Sequence, residues 1–309
     1  MRKPLFKLLA ISVALIMLIG IVACDSSNGD RASEQPSESA GSESTSPQST
    51  ESVQPSESSS NSDSASPPIE SETPSTSATP APVELVVFAA ASMTETMESI
   101  ATLYKAAAPH VKITYNFDSS GTLLTQIQEG AICDVFISAA QRQMNTLDDE
   151  GSVLEGTRYN LVENEVALVV PEGNPANIHT FDDAAAASMI ALGNSDVPVG
   201  QYSEEIFTNM GVWDDEFLSR VTLGSNVKEV TTWVSEGVVD CGVVYATDAF
   251  SAGLEIVASA PAGTLETPVI YPAAALSETQ NPDEAKAFLD YLKTPDAAAV
   301  FMSVGFSMP

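Results

Sequence analysis

Two stretches place serine hydroxyls at the junction of a strand and a helix: "VFAAASMTET" at 87–96 and "ITYNFDSSGTLLTQI" at 113–127. In each, an apolar run ends in small residues, serines follow, and helical periodicity starts at once. The first turn of a helix leaves backbone N–H groups without intrahelical acceptors and carries partial positive charge, so such a junction favours an anion. Small residues at 89–92 and 119–122 let backbone approach a ligand closely. Taken singly, Ser92 and Ser119 are explained as N-caps, each contributing about 1 kcal/mol. Two such junctions at neighbouring strand ends of one sheet point instead to a shared binding site.

Other chemistry finds little support. The two histidines, His110 and His179, fall in loops with no Cys, Asp or Glu at metal-ligand spacing. No G-x-S-x-G elbow, Walker loop or G-x-G-x-x-G occurs. The pairs Asp148-Asp149 and Asp214-Asp215 lie in polar segments and fit solvated charge better than a pair of catalytic carboxylates. We therefore expect no catalytic residue, no metal held by side chains and no cofactor. A net charge of −30 argues against nucleic acid, whose phosphates need clustered Lys and Arg. Of the 12 Lys and Arg, four (Arg2, Lys3, Lys7 and Arg31) precede residue 83, which leaves eight in the globular part.

The chain divides by composition. Arg2, Lys3 and Lys7 precede an apolar run, Leu8 to Val22, that ends in Ile21-Val22-Ala23-Cys24. This resembles a bacterial lipobox, so residues 1–24 are expected to be a lipoprotein signal with Cys24 as the lipidated residue. Residues 25–82 are rich in Ser, Glu, Pro and Thr and poor in large apolar side chains, the composition of a disordered tether. From Val83 onward strands alternate with helices. "ELVVFAA", "HVKITYNF" and "DVFISA" are strands in βαβαβ order, and Met93, Met97, Ile100 and Tyr104 mark one face of the first helix.

"RYNLVENEVALVVPEG" is expected to pass into a second, smaller α/β module containing "MIALGN", "RVTL" and "DCGVVYA". The chain then returns through "LEIVAS" and "TPVIYPAAAL" to helices bearing Phe288, Leu289, Leu292, Phe301 and Met302. The expected boundaries are 83–163 with 247–309 for lobe I and 164–246 for lobe II. Clefts at the carboxyl ends of parallel strands are where such folds bind ligands. Cys133 and Cys241 open apolar strands and are expected to be two buried thiols rather than a disulfide.

Several motifs resemble one family. "VFAAASMTETMESIA", "FDSSGTLLTQIQEGAICDVFISAA", "VPVGQY", "CGVVYATDA" and "FLDYLKTPDAAAVFMSVGF" are similar, in order, to the periplasmic molybdate-binding proteins of ABC transporters. The resemblance implies a two-lobed α/β, type II-like Venus-flytrap fold with the second lobe inserted into the first. It also implies a monomeric receptor, anchored here through Cys24 on the extracytoplasmic face, that delivers molybdate or tungstate to a membrane permease. The family holds its anion with neutral donors. Matched residue by residue, these are Ser92 and Ser120 through hydroxyl and N–H, Val199 and Val227 through N–H alone, and Tyr245 through its hydroxyl. Of the eight cationic residues, only Lys228, beside Val227 in "SNVKEV", falls inside the stretches around these five residues.

A donors-only site suits an unprotonated dianion, whereas hydrogen phosphate brings a proton that needs an acceptor. Asp118 departs from the family, which has a small neutral residue there. Its carboxylate is expected to cap the following helix, with a phosphate acceptor as the alternative. Sulfate or phosphate thus remains a second reading, and a surface enzyme or adhesin on the same fold a third.

Overall fold

The computed structural model describes residues 80–309. The signal segment, Cys24 and all but the last three residues of the expected tether lie outside the described residues. Lobe I begins with β1 (Val83–Ala90), a single 3-10 turn (Ala91–Met93) and α1 (Thr94–Ala107). It continues with β2 (Val111–Asp118), α2 (Ser120–Gln128), β3 (Val135–Ile137), α3 (Gln141–Asp149) and β4 (Tyr159–Asn164). Met93, Met97, Ile100 and Tyr104 are all buried, so the periodicity of α1 records the face it turns to the sheet. Gly130 follows α2 with φ +89, a backbone conformation that favours glycine.

Lobe II contains β5 (Val166–Val170), α4 (Phe181–Ala185), β6 (Ile190–Gly193), α5 (Pro198–Asn209) and α6 (Asp215–Leu218). Next come β7 (Val221–Gly224), α7 (Val227–Ser235), β8 (Cys241–Tyr245), α8 (Ala246–Ala252) and β9 (Glu255–Ser259). The chain then re-enters lobe I as β10 (Val269–Ala275) and closes with α9 (Pro282–Tyr291) and α10 (Pro295–Ser303).

Each lobe holds a five-stranded sheet, in the order β2-β1-β3-β10-β4 and β7-β6-β8-β5-β9. In lobe I β1 runs parallel to both β2 and β3, and in lobe II β6 runs parallel to both β7 and β8. The two lobes therefore repeat one arrangement, a first strand flanked by the next two parallel strands. The chain winds in opposite directions on either side of that first strand, which opens a crevice at its carboxyl end.

Two crossovers join the lobes. The first is the β4–β5 junction at Glu165, close to the expected boundary. The second differs from expectation: β9 pairs antiparallel with β5, so "LEIVAS" belongs to lobe II and the return lies between Ser259 and Val269 rather than at 247. An apolar edge strand fits either sheet by composition, and the pairing that decides between them is with β5, some 85 residues earlier in the chain.

Cys133 lies just before β3 and Cys241 begins β8, in different lobes; both are buried free thiols. Burial raises both, with Cys241 pushed up to about 12 and Cys133 higher still. With Cys24→Ala to remove the third thiol, the native protein is expected to react negligibly with a thiol reagent. Two equivalents should react after unfolding without reductant. None would mean a bridge.

Candidate functional site

Four expected anion-binding positions begin helices. Ser92 is second in the 3-10 turn, Ser120 first in α2, Val199 second in α5 and Val227 first in α7. At these positions a backbone N–H has no intrahelical acceptor. None of the four finds an acceptor among the described residues. All four helices start at the carboxyl ends of the repeated strands: β1 and β2 in lobe I, β6 and β7 in lobe II. Tyr245, the last residue of β8, completes the set.

Ser92, Ser120, Val227 and Tyr245 line one small pocket of about 10 Å³ between the lobes, together with Ala90, Ala91, Asp118, Ser119, Ala139, Val197 and Pro198. Val199 is not on the wall; Val197 and Pro198 form it there, and Val199 is fully buried behind them. The lobes close tightly on it, and the space is far below the several hundred Å³ usual for organic ligands. No Lys, Arg or His lines it.

The local chemistry explains each placement. Ser119, not Asp118, caps α2: its Oγ accepts from Thr122 N–H at 3.1 Å. Asp118 instead accepts from Ser119 N–H through Oδ1 at 2.7 Å, so the capping role expected of it falls to Ser119, which holds the N-cap position. Ser120 is fully buried, and its Oγ accepts the N–H of Ala139 at 2.9 Å. With a lone pair engaged by a backbone donor, its own proton is available to the pocket.

Ser92 does not cap α1, which has no side-chain cap; its Oγ lies 3.0 Å from the hydroxyl of Tyr271. Asn226 caps α7 by accepting from Glu229 N–H, which leaves the N–H of Val227 free. In α5, Pro198 takes the first helical position, where a missing N–H costs nothing. A Cβ on Gly200 would meet Gly193 O at 2.3 Å, so only glycine lets α5 start this close to β6.

The lobes meet directly around the pocket. Gly121 N–H donates to Asp196 O at 2.9 Å, and the Tyr245 hydroxyl donates weakly to Ala139 O at 3.4 Å. Lys228 of α7 reaches Glu95 of α1 at 2.8 Å. It also lies 3.3 Å from the fully buried Asp248, within ion-pair distance but outside hydrogen-bonding alignment, and neither Asp248 oxygen has a hydrogen-bond partner. Burial pushes the Asp248 carboxyl up to about 6, with Lys228 pulling against it. Burial depresses Lys228 in turn, and the charges of Asp248 and Glu95 outweigh that, so it stays cationic. The one cation within the binding motifs is therefore engaged by carboxylates. Burial, reinforced by Asp248, holds Tyr245 and Tyr271 well above the ordinary phenol range, so both remain O–H groups.

Sequence reasoning did not single out Tyr271, Asn164, Ala139 or Asp196. Tyr271 carried only a weak signal, a phenol in an otherwise apolar strand. The partners of these residues come from distant parts of the chain, 179 residues away for Tyr271 and Ser92.

Comparison with known proteins follows the same outline. Residues 85–307 match the model of a family described as bacterial extracellular solute-binding protein. A Bacillus subtilis protein provisionally named as the ABC transporter substrate-binding lipoprotein YvgL is 37% identical over 227 residues, 73% of this chain and 86% of that protein. The molybdate-binding protein ModA of Haemophilus influenzae is 33% identical over 234 residues, 74% of this chain and 91% of its own length. A solved substrate-binding domain from Clostridium difficile, provisionally named for a molybdenum ABC transporter, superposes with TM-score 0.57 at 33% identity. That match covers 74% of this chain and 99% of the other.

The Gly121–Asp196 contact yields a test of the interlobe geometry. A Cβ at Gly121 would sit 2.3 Å from Asp196 O, inside contact distance. Gly121→Ala is therefore expected to leave each lobe folded and hold the two apart. A label pair on the exposed Glu98 and Glu204, one in each lobe, should report a longer separation than in the parent with saturating oxyanion. Equal separations would contradict this.

Proposed function

The chain belongs to the bacterial extracellular solute-binding protein family, and we propose that within it this protein is a receptor for molybdate, with tungstate bound comparably. The observation that carries the proposal is the convergence of unpaired helix-start N–H groups with the hydroxyls of Ser92, Ser120 and Tyr245 around a small pocket lined by no cation. Ser92, Ser120, Val199, Val227 and Tyr245 are the proposed donors. The names of the relatives, ModA among them, point to the same ligand.

Tetrahedral dianions can be held by uncharged donors when those donors are fixed beforehand. In a site closed to water each such hydrogen bond is stronger than it would be in solvent. Closure of the lobes supplies both conditions, because α2 and the 3-10 turn come from lobe I while α5 and α7 come from lobe II. The loaded, closed form is then what a membrane permease of an ABC transporter would recognise. Lipidation at Cys24 would keep a monomeric receptor at the extracytoplasmic face, with residues 25–82 as the tether. No cofactor is needed for this task. Ser92 is bonded to a phenol rather than to a base, which favours a binding role over a nucleophilic one.

A second reading has one observation in its favour: Asp118 lines the pocket and is an acceptor, which hydrogen phosphate requires. A thermal-shift series separates the two. A ligand at a hundredfold over its dissociation constant stabilises by about 2.7 kcal/mol. Molybdate and tungstate are expected to raise the melting temperature clearly, sulfate slightly and phosphate not at all. A rise with phosphate alone would favour the second reading, and no response to any of the four would contradict an oxyanion receptor.

A further inference from the structure

Behind Ser92 lies a hydrogen-bond chain that none of the five donors includes. It starts at Asn164, the last residue of β4, where the chain crosses from lobe I to lobe II. The Asn164 Oδ1 accepts the N–H of Glu165 at 2.9 Å. A backbone donor therefore fixes the orientation of this side-chain amide, which is otherwise ambiguous. Its Nδ2 then donates two hydrogen bonds, to Thr247 Oγ1 at 2.8 Å and to the Tyr271 hydroxyl at 3.2 Å. Tyr271 sits on β10, fully buried, with its ring edge-on to Tyr245 and Phe306. Its hydroxyl has one other close partner among the described residues, Ser92 Oγ at 3.0 Å.

Proton counting gives the chain a direction. An amide N–H can only donate, so the Tyr271 oxygen accepts from Asn164. We propose that Tyr271 is a positioning and selectivity residue, which donates its single proton to Ser92 Oγ and so turns the Ser92 proton toward the anion. The inference rests on the oxyanion reading above and deepens it. Ser120 is arranged in the same sense by the N–H of Ala139. Both serine oxygens thus have a lone pair engaged from behind, and both hydroxyls face the ligand as donors.

The consequence concerns selectivity more than raw affinity. A free serine hydroxyl can donate or accept, and an acceptor is what a proton-bearing oxyanion needs. Engaging one Ser92 lone pair from behind fixes its proton toward the pocket, so a proton-bearing oxyanion meets a proton there while molybdate meets a donor. The relay also reaches across the lobes, since Asn164 bonds Thr247 of α8 as well as Tyr271.

The test is a titration of the full chain and its variants with molybdate and with inorganic phosphate. Tyr271→Phe keeps the ring packing and removes only the relay. It is expected to weaken molybdate about tenfold and to leave phosphate equal or tighter, so the selectivity ratio falls by about tenfold or more. In a Ser92→Ala background the same substitution should change either affinity by no more than about twofold, because it acts through Ser92. Asn164→Leu, which frees the Tyr271 oxygen to accept from Ser92, should lose selectivity in the same direction and serves if Tyr271→Phe fails to fold.

Equal weakening of both anions, full additivity with Ser92→Ala, or unchanged affinities would overturn the proposal. If the parent binds molybdate and the variants keep its selectivity, this inference fails alone. If the parent binds neither anion, the oxyanion reading fails and takes this inference with it.

Discussion

The first turn of a helix exposes N–H groups that its own backbone cannot satisfy, and in this structure four helix starts, one of them a 3-10 turn, gather where the lobes meet. The architecture follows from that constraint. Each lobe repeats a parallel trio of strands whose carboxyl ends feed helices, and the lobes face each other so that the helix starts meet. Glycine stands where backbones approach most closely, Gly121 against Asp196 across the lobes and Gly200 against Gly193 within lobe II. The same N–H groups would be a liability if buried dry, and they are the proposed recognition chemistry for an anion.

Charge is handled by separation. The protein carries a formal net charge of −30, yet the pocket wall has no cation to attract an anion. Long-range repulsion from surface carboxylates is screened within about 8 Å at physiological ionic strength, so it bears on encounter more than on the bound state. Lys228 stands within the binding motifs, but Glu95 and Asp248 engage its ammonium, and its use is to join the lobes. Neutral donors fixed in advance also select by proton content. A lysine could attract any dianion, whereas a shell of donors disfavours one that must itself donate.

Much of this was legible in the chain, and the reasons differ by residue. Helical spacing identified the buried face of α1 because burial and periodicity are the same fact seen twice. The strand–serine–helix junctions pointed to the lobe I wall of the pocket because small residues and hydroxyls are unusual at the end of an apolar strand. Val199 and Val227 could not be found by side chain, since only the position of their N–H groups in a helix matters; a family resemblance supplied them. That Ser92 caps no helix could not be read from the chain, because sequence shows the hydroxyl and not its partner, which is Tyr271 on a distant strand. The placement of β9 failed for the same reason, as sheet membership is a long-range pairing that local composition does not encode.

The central claim is that uncharged helix-start donors, and not cations, hold the anion. A crystal structure of the molybdate complex, with the metal located by its anomalous scattering, tests this most directly. The account predicts a single peak in the pocket between the lobes, with oxygens within hydrogen-bonding distance of the N–H groups of Ser92, Ser120, Val199 and Val227 and of the Tyr245 hydroxyl. A peak elsewhere, or one whose oxygens are bound by Lys228 or another cationic side chain, would contradict it.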